Sequence, residues 1–149
     1  MKLANFNSET GDDKFIKHFW QKKGLNTDGM FLFDGSGLSR YNGITTKQLV
    51  SVLKYMKIKS RNLEIYYTSI PLVGIEGTVK YMCKGTSAVN NMRAKSGSLK
   101  NVIAYAGYVK TKSGRELAFS IMINNFNCSS KLARKKIEKT LTALADFNL

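Results

Sequence analysis

The stretch Met92-Arg93-Ala94-Lys95-Ser96-Gly97-Ser98-Leu99-Lys100-Asn101-Val102-Ile103-Ala104-Tyr105-Ala106-Gly107-Tyr108-Val109, continued through Lys110 to Asn124, carries a hydrophobic period of two. Such alternation marks pleated strands, whose successive side chains point to opposite faces. Met92–Ser96 reads as one strand and Val102–Val109 and Glu116–Asn124 as two longer ones, with Lys110-Thr111-Lys112-Ser113-Gly114 having the composition of a hairpin turn. Three strands joined in this way form an antiparallel sheet. In the last strand Leu117, Phe119, Ile121 and Ile123 share one face, and Ala118, Ser120 and Met122 share the other. With so little charge on either face, both are expected to be covered.

Helical spacing appears on both sides of this core. Upstream, Phe15, Ile16, Phe19 and Trp20 are spaced for one helix face after Asp12, and Gly24 is placed to end that helix. Met30–Phe33 suits a short strand, halted by Asp34-Gly35-Ser36-Gly37. Thr45 followed by Gln48 forms a capping-box pair opening a second helix, with Leu49, Val50, Leu53 and Met56 facing inward. A short helix is expected before Pro71, then loops around Gly74, Gly77 and Gly85. Downstream, Ser129 or Ser130 caps a last helix with Leu132, Ile137, Leu141 and Leu144 as its apolar stripe. Residues 1–10 read as polar and irregular. No repeat or low-complexity linker divides the chain, so residues 1–149 are expected to form a single α+β domain, an antiparallel sheet flanked by helices.

Composition narrows the function classes. With 149 residues, 43% of them hydrophobic, the chain can bury a core and is not a disordered basic tail. The net charge of +14 and pI near 9.9 suit a polyanionic partner. The lysines are dispersed, however, as Lys14, Lys17, Lys22, Lys23, Lys47, Lys54, Lys57 and Lys59 and the Arg134–Lys136 run, and no nucleic-acid motif accompanies them, so nucleic acid is not the expected partner. No apolar run approaches the roughly 20 residues of a membrane span, and the first residues lack the apolar run of a secretory signal. Cys83 and Cys128 permit one disulfide, whose formation is left open, and neither lies in a Cys-x-x-Cys pair or near His18, which excludes a zinc site. His18 reads as a helix-face residue, and Tyr105, Tyr108 and Phe119 as sheet packing.

Two stretches carry candidate chemistry. Asp34-Gly35-Ser36-Gly37-Leu38-Ser39-Arg40-Tyr41-Asn42 has closely spaced glycines that permit unusual backbone paths. Arg93-Ala94-Lys95-Ser96-Gly97-Ser98-Leu99 places Lys-Ser-Gly at the end of a strand leading into a hairpin. Together, DGSGLSRYN, a following helix, RAKSGSLKNVIAYAGYV and a strand ending in MINNF resemble the C-terminal part of the D-alanyl-D-alanine carboxypeptidase/endopeptidase family, the class C low-molecular-mass penicillin-binding proteins. The resemblance runs from about Phe15 to the last helix and covers part of that family's catalytic domain.

The family shares three motifs with serine β-lactamases: S-x-x-K, S-x-N and K-[ST]-G. Lys95-Ser96-Gly97 matches the third residue for residue. The resemblance implies a partial penicillin-binding-protein/β-lactamase-like transpeptidase domain with this triad on the strand edging the active site. Lys95 would then act as the catalytic cation, directing positive potential toward the substrate's terminal carboxylate and the nucleophile's proton network. Ser96 would hydrogen-bond that carboxylate, Gly97 would leave room for substrate along the strand, and the Ser98 N–H would form half of an oxyanion hole.

Asp34 and Ser36 either shape the active-site wall or cap their own turn. Arg93 either extends positive potential into the site or pairs with a carboxylate on the neighbouring strand. Ser51-Val52-Leu53-Lys54 spells S-x-x-K, but follows DGSGLSR, whereas the family's nucleophile motif precedes both others; Ser51 is therefore expected to be an ordinary solvent-facing residue. No S-x-N stands upstream of Asp34, since Ser8-Glu9-Thr10 fails at its third place. The chain is accordingly expected to be an excerpt, inactive alone, of a serine hydrolase of the periplasm or cell envelope. That enzyme would act on peptidoglycan stem peptides, be acylated by β-lactams, and need no metal or cofactor. The alternative is a non-catalytic basic module binding a polyanion, a cell-wall polymer or nucleic acid.

Overall fold

The computed structural model describes residues 12–148. The sheet has the order β1-β2-β3, from β1 (Met92–Leu99), β2 (Val102–Lys110) and β3 (Glu116–Asn124), paired antiparallel throughout. β1 runs beyond Ser96 because its register with β2 continues until Leu99 faces Val102. The link is then only Lys100 and Asn101, and Asn101 takes a φ of 60°, a left-handed conformation that asparagine tolerates. Lys95-Ser96-Gly97 therefore sits within the strand rather than at its end. The outer edge of β3 has no partner strand among the described residues.

Both sheet faces are covered, as the alternation required. Met92, Ala94, Ile103, Tyr105, Val109 and Phe119 pack with Val73, Val79 and Met82 and with α4 (Ser130–Ala145). On the other face Tyr108, Ala106 and Ala118 meet Leu53 of α2 (Thr46–Lys59), Tyr66 and Tyr67 of α3 (Leu63–Ser69), and Ile70. Tyr108, buried in this layer, donates its hydroxyl to the Leu53 carbonyl at 2.6 Å, so the polar end of a large apolar ring is satisfied.

The capping box is present: Thr45 Oγ1 accepts from Gln48 N at 3.1 Å, and Gln48 Oε1 accepts from Thr45 N at 2.9 Å. Gln48 is itself buried, and its amide donates to the Asp28 carbonyl at 2.9 Å, tying α2 to the preceding turn. In α4, capped by Ser129, the buried stripe is Ala133, Ile137, Leu141 and Ala145. Leu132, expected in that stripe, is 46% exposed, because it stands one position, about 100° of helix rotation, away from Ala133.

α1 (Asp12–Lys22) sets Trp20 edge-on against Tyr55 of α2 with ring centroids 5.7 Å apart. Phe15 and Phe19, expected on an inward face, are 73% and 45% exposed, since only the Ile16 and Trp20 side turns toward the body. Met30–Phe33 forms no strand: only Phe31 bridges to Gly43, and the hydrogen bonds between them close the neck of a loop. The short helix before Pro71 is α3, and a one-turn 3-10 helix spans Gly77–Val79. The irregular segment expected over residues 1–10, including Ser8-Glu9-Thr10, lies outside the described residues.

Candidate active site

The site is built on the outer edge of β1. Val73 N donates to the Met92 carbonyl at 2.8 Å and Ala94 N to the Pro71 carbonyl at 3.0 Å, so residues 71–73 close the first half of that edge. Main-chain groups point out of an edge at every second residue. Since Met92 and Ala94 point outward, so do Ser96 and Ser98, and among the described residues no main chain covers them. The Ser98 N–H thus stands on an open edge, while the Ser96 carbonyl accepts from Lys95 Nζ at 2.7 Å.

Side chains alternate about this edge. Lys95 and Gly97 lie on the α2 side, opposite Ala106 and Ala104. There Lys95, Ser96 and Gly97 line a groove of about 590 Å³ whose far wall includes Leu49, Leu53 and Tyr66. A second groove of about 550 Å³ shares Gly97 and is lined further by Ser98, Gly37, Arg40, Asn42 and Asn124. Gly97 borders both grooves together with Ile44, Ala104 and Met122, and a Cβ there would meet only Ala104 Cβ, at 4.0 Å. Ser96 turns its hydroxyl to the other side of the strand, 2.6 Å from Thr78 Oγ1.

The glycine-rich loop is organised from within. The Asp34 carboxylate accepts from Gly37 N, Ser39 N and Asn42 Nδ2, each at 2.8 Å, and from Ser36 Oγ at 3.2 Å. Asn42 Oδ1 in turn accepts from Phe33 N at 2.6 Å and Asp34 N at 3.2 Å. The Asn42 amide holds the Asp34 carboxyl below its ordinary range; desolvation opposes this, and the Gly37, Ser39 and Ser36 donors add to the lowering. Asp34 and Ser36 are therefore spent on capping their own turn, and the residues this loop lends to the groove are Gly37, Arg40 and Asn42.

Arg93 is drawn into the closed half of the edge. Its Nη1 donates to the Ile70 carbonyl at 2.8 Å and lies 3.8 Å from Glu76 Oε2, while its guanidinium stands 5.3 Å from the Tyr67 ring centre. The carboxylate it meets comes from the 71–79 loop rather than from a neighbouring strand. Tyr67 donates to Glu116 Oε1 at 2.7 Å, Glu116 is ion-paired with Lys57, and the Lys57 ammonium lies 4.6 Å from the Tyr67 ring centre. Burial, reinforced by Glu116, pushes the Tyr67 hydroxyl up to about 12. This cluster locks α2, α3, β1 and β3 together beside the site, and it and Thr78 are the elements sequence reasoning missed.

Ser51 is only partly exposed, donates to the Lys47 carbonyl at 2.9 Å within its own helix, and does not line the groove that holds Lys95. His18 is exposed, and among the described residues no group of three His, Cys, Asp or Glu side chains is placed to hold a metal. Cys83 and Cys128 are both free thiols. No described helix is long and apolar enough to cross a membrane.

Comparisons with known proteins meet this arrangement from three directions. The family model described as D-Ala-D-Ala carboxypeptidase 3 (S13) family matches residues 4–147. The D-alanyl-D-alanine carboxypeptidase DacB of Haemophilus influenzae is 34% identical over 123 residues, which cover 81% of this chain and 26% of that protein. The D-alanyl-D-alanine carboxypeptidase of an Actinomadura species is 38% identical over 116 residues, covering 74% of this chain and 21% of the relative. The chain thus spans about a quarter of the length of the relatives it matches. In three dimensions, the crystal structure of penicillin binding protein 4 from Haemophilus influenzae superposes with a TM-score of 0.78 at 28% identity, over 91% of this chain and 32% of that one. The antiparallel sheet with helices on both faces is therefore the fold found in that penicillin-binding protein.

Proposed function

This chain belongs to the D-Ala-D-Ala carboxypeptidase 3 (S13) family, and from that premise we propose that it supplies the substrate-gripping wall of a serine-type D-Ala-D-Ala carboxypeptidase. The observation that carries the reading is that Lys95-Ser96-Gly97 occupies the half of the β1 edge left open beyond residues 71–73, at the junction of two grooves. An extended peptide lying there meets outward main-chain groups at Ser96 and Ser98. Its terminal carboxylate is attracted by the Lys95 ammonium and accepts a hydrogen bond from the Ser96 hydroxyl, while Gly97 leaves the passage clear. The Ser98 N–H faces the carbonyl oxygen on which negative charge develops during attack.

The reaction itself needs a serine. Ser51 is committed to its helix and lines neither groove, which supports a nucleophile supplied from outside these 149 residues. That serine attacks the carbonyl of the penultimate D-alanine; the peptide C–N bond breaks, the terminal D-alanine leaves with the proton, and water hydrolyses the acyl ester. The substrates are peptidoglycan stem peptides, β-lactams acylate the same serine, and the setting is the cell envelope.

Two measurements test this. Intact-mass analysis after incubation with a labelled penicillin should find the 149-residue chain unmodified, and a stable adduct on Ser51 would overturn the assignment. In amide-resolved NMR, a peptide ending in D-Ala-D-Ala should shift the Ser96 and Ser98 N–H signals, and Lys95→Met or Ser96→Ala should abolish the shift. Binding to heparin or DNA that survives both substitutions, without any response to the peptide, would instead support the basic-module reading.

A further inference from the structure

Thr78 meets the site through Ser96, whose hydroxyl lies 2.6 Å from its own. It reaches Ser96 through a loop that doubles back on itself. After Pro71–Val73 has covered β1, Ile75 N and Glu76 N donate to the Leu72 carbonyl at 3.2 and 2.9 Å, Glu76 Oε2 accepts from Leu72 N at 2.8 Å, and Gly74 N donates to the Val79 carbonyl at 3.0 Å. Val79, fully buried, anchors the residue after Thr78 in the core. Gly77 turns the chain at a φ of 52°, with Pro71 Cγ only 3.2 Å from where a Cβ would stand. The loop that closes one half of the β1 edge thus also suspends the Thr78 hydroxyl over the first residue of the open half.

Two hydroxyls sharing one hydrogen bond hold two protons, one inside the bond and one left over. When Thr78 is the donor, the spare proton belongs to Ser96 and can point at a ligand. An anion at the edge selects that arrangement, because it attracts the free O–H and each bond in the chain Thr78 to Ser96 to anion polarises the next. A neutral acceptor exerts much less of this pull.

We infer that Thr78 is a positioning residue that donates to Ser96 Oγ, directs the Ser96 proton toward a terminal carboxylate, and so contributes to discrimination between a charged and a neutral peptide C-terminus. The inference rests on the reading of Ser96 as a carboxylate donor and adds to it the residue that sets the direction of the donation.

The experiment compares the 149-residue chain with its Thr78→Val and Thr78→Ser variants by NMR titration. Each is titrated with an acetylated peptide ending in D-Ala-D-Ala and with the same peptide as its C-terminal carboxamide. Thr78→Val keeps the size of the side chain and removes the donor; it should weaken carboxylate binding about three- to tenfold, the range expected for one hydrogen bond, and leave carboxamide binding unchanged. Thr78→Ser should restore the wild-type preference. The ratio of the two affinities is internal to each variant, and slow exchange of the Ala94 N–H reports that the loop is still in place.

Equal weakening of both peptides, no weakening of either, or a serine variant that fails to restore the ratio would overturn the role of Thr78. The reading of Ser96 survives any of these so long as the wild-type chain prefers the carboxylate and Ser96→Ala removes that preference. A wild-type chain without the preference would remove both.

Discussion

Replacing Gly107 by alanine is expected to break the sheet, whereas the same change at Gly97 leaves it standing. Gly107 pairs with Ala94 across β1 and β2. A Cβ on Gly107 would fall inside the Arg93 carbonyl oxygen and within 2.9 Å of Arg93 C and Ala94 Cα. All three are main-chain atoms, so no change of rotamer relieves the overlap and β1 must move off β2. Overpacking alone costs about 1–3 kcal/mol. Parting the strands also loosens at least one ladder bond, contributing about 1 kcal/mol, for a total of about 2–4 kcal/mol.

That is a large share of the roughly 5–15 kcal/mol by which domains of this kind are held folded. At Gly97 the added Cβ meets only Ala104 Cβ, at 4.0 Å, an ordinary contact. Alanine there also restricts the unfolded chain, so Gly97→Ala should be neutral to about 1 kcal/mol stabilising. Urea denaturation of the two variants measures the contrast. A Gly107→Ala protein as stable as wild type would refute the register of β1 on β2, and a Gly97→Ala protein that unfolds would refute the open junction of the grooves. With the fold intact, Gly97→Ala should still lose the D-Ala-D-Ala peptide, because its methyl group narrows the passage between them.

The carboxyl of Asp34 offers a pH test. Because its folded pKa lies below the ordinary 3.8, the ionised group stabilises its loop fully above that value and the stabilisation is lost as pH falls through the lowered one. Carboxyl-carbon NMR should give a midpoint under 3.8 that rises in Asn42→Ala; a native midpoint at or above 3.8 would contradict the hydrogen-bonded ring. Tyr108→Phe removes the donor to the Leu53 carbonyl from a buried layer and should cost about 0.5–1.5 kcal/mol in urea unfolding, since that carbonyl keeps its helical partner. An unchanged midpoint would mean that the bond contributes nothing to the joint of α2 and β2.

What was legible in the sequence was local or periodic. The two-residue alternation revealed the strands, the Thr45 and Gln48 pair revealed a helix start, and the Lys95-Ser96-Gly97 motif marked the site together with DGSGLSRYN. Periodicity also misled where it counted apolar residues without knowing what lay opposite them: Leu132 and Phe15 have helical spacing, yet both stay largely exposed among the described residues. The remaining parts join distant residues with no repeat to announce them. Pro71 covers Ala94, Thr78 meets Ser96, and Tyr67 meets Glu116 across 49 positions. Such contacts depend on how a loop returns over an edge, and no spacing rule encodes that return. Buried Gln48 shows the same limit, since its cap was readable and its bond to the Asp28 carbonyl was not.

Along β3, the nine residues Glu116–Asn124 turn a row of main-chain donors and acceptors outward with nothing among the described residues to meet them. A row of that kind is a template on which a second copy can zip. Like charge, +14 on each copy, opposes such pairing, and that repulsion reaches only about 10 Å once the medium holds 0.1 M salt. Raising the ionic strength is therefore expected to favour pairing of this edge with a second copy, and light scattering across a salt series would register it as a rising apparent mass.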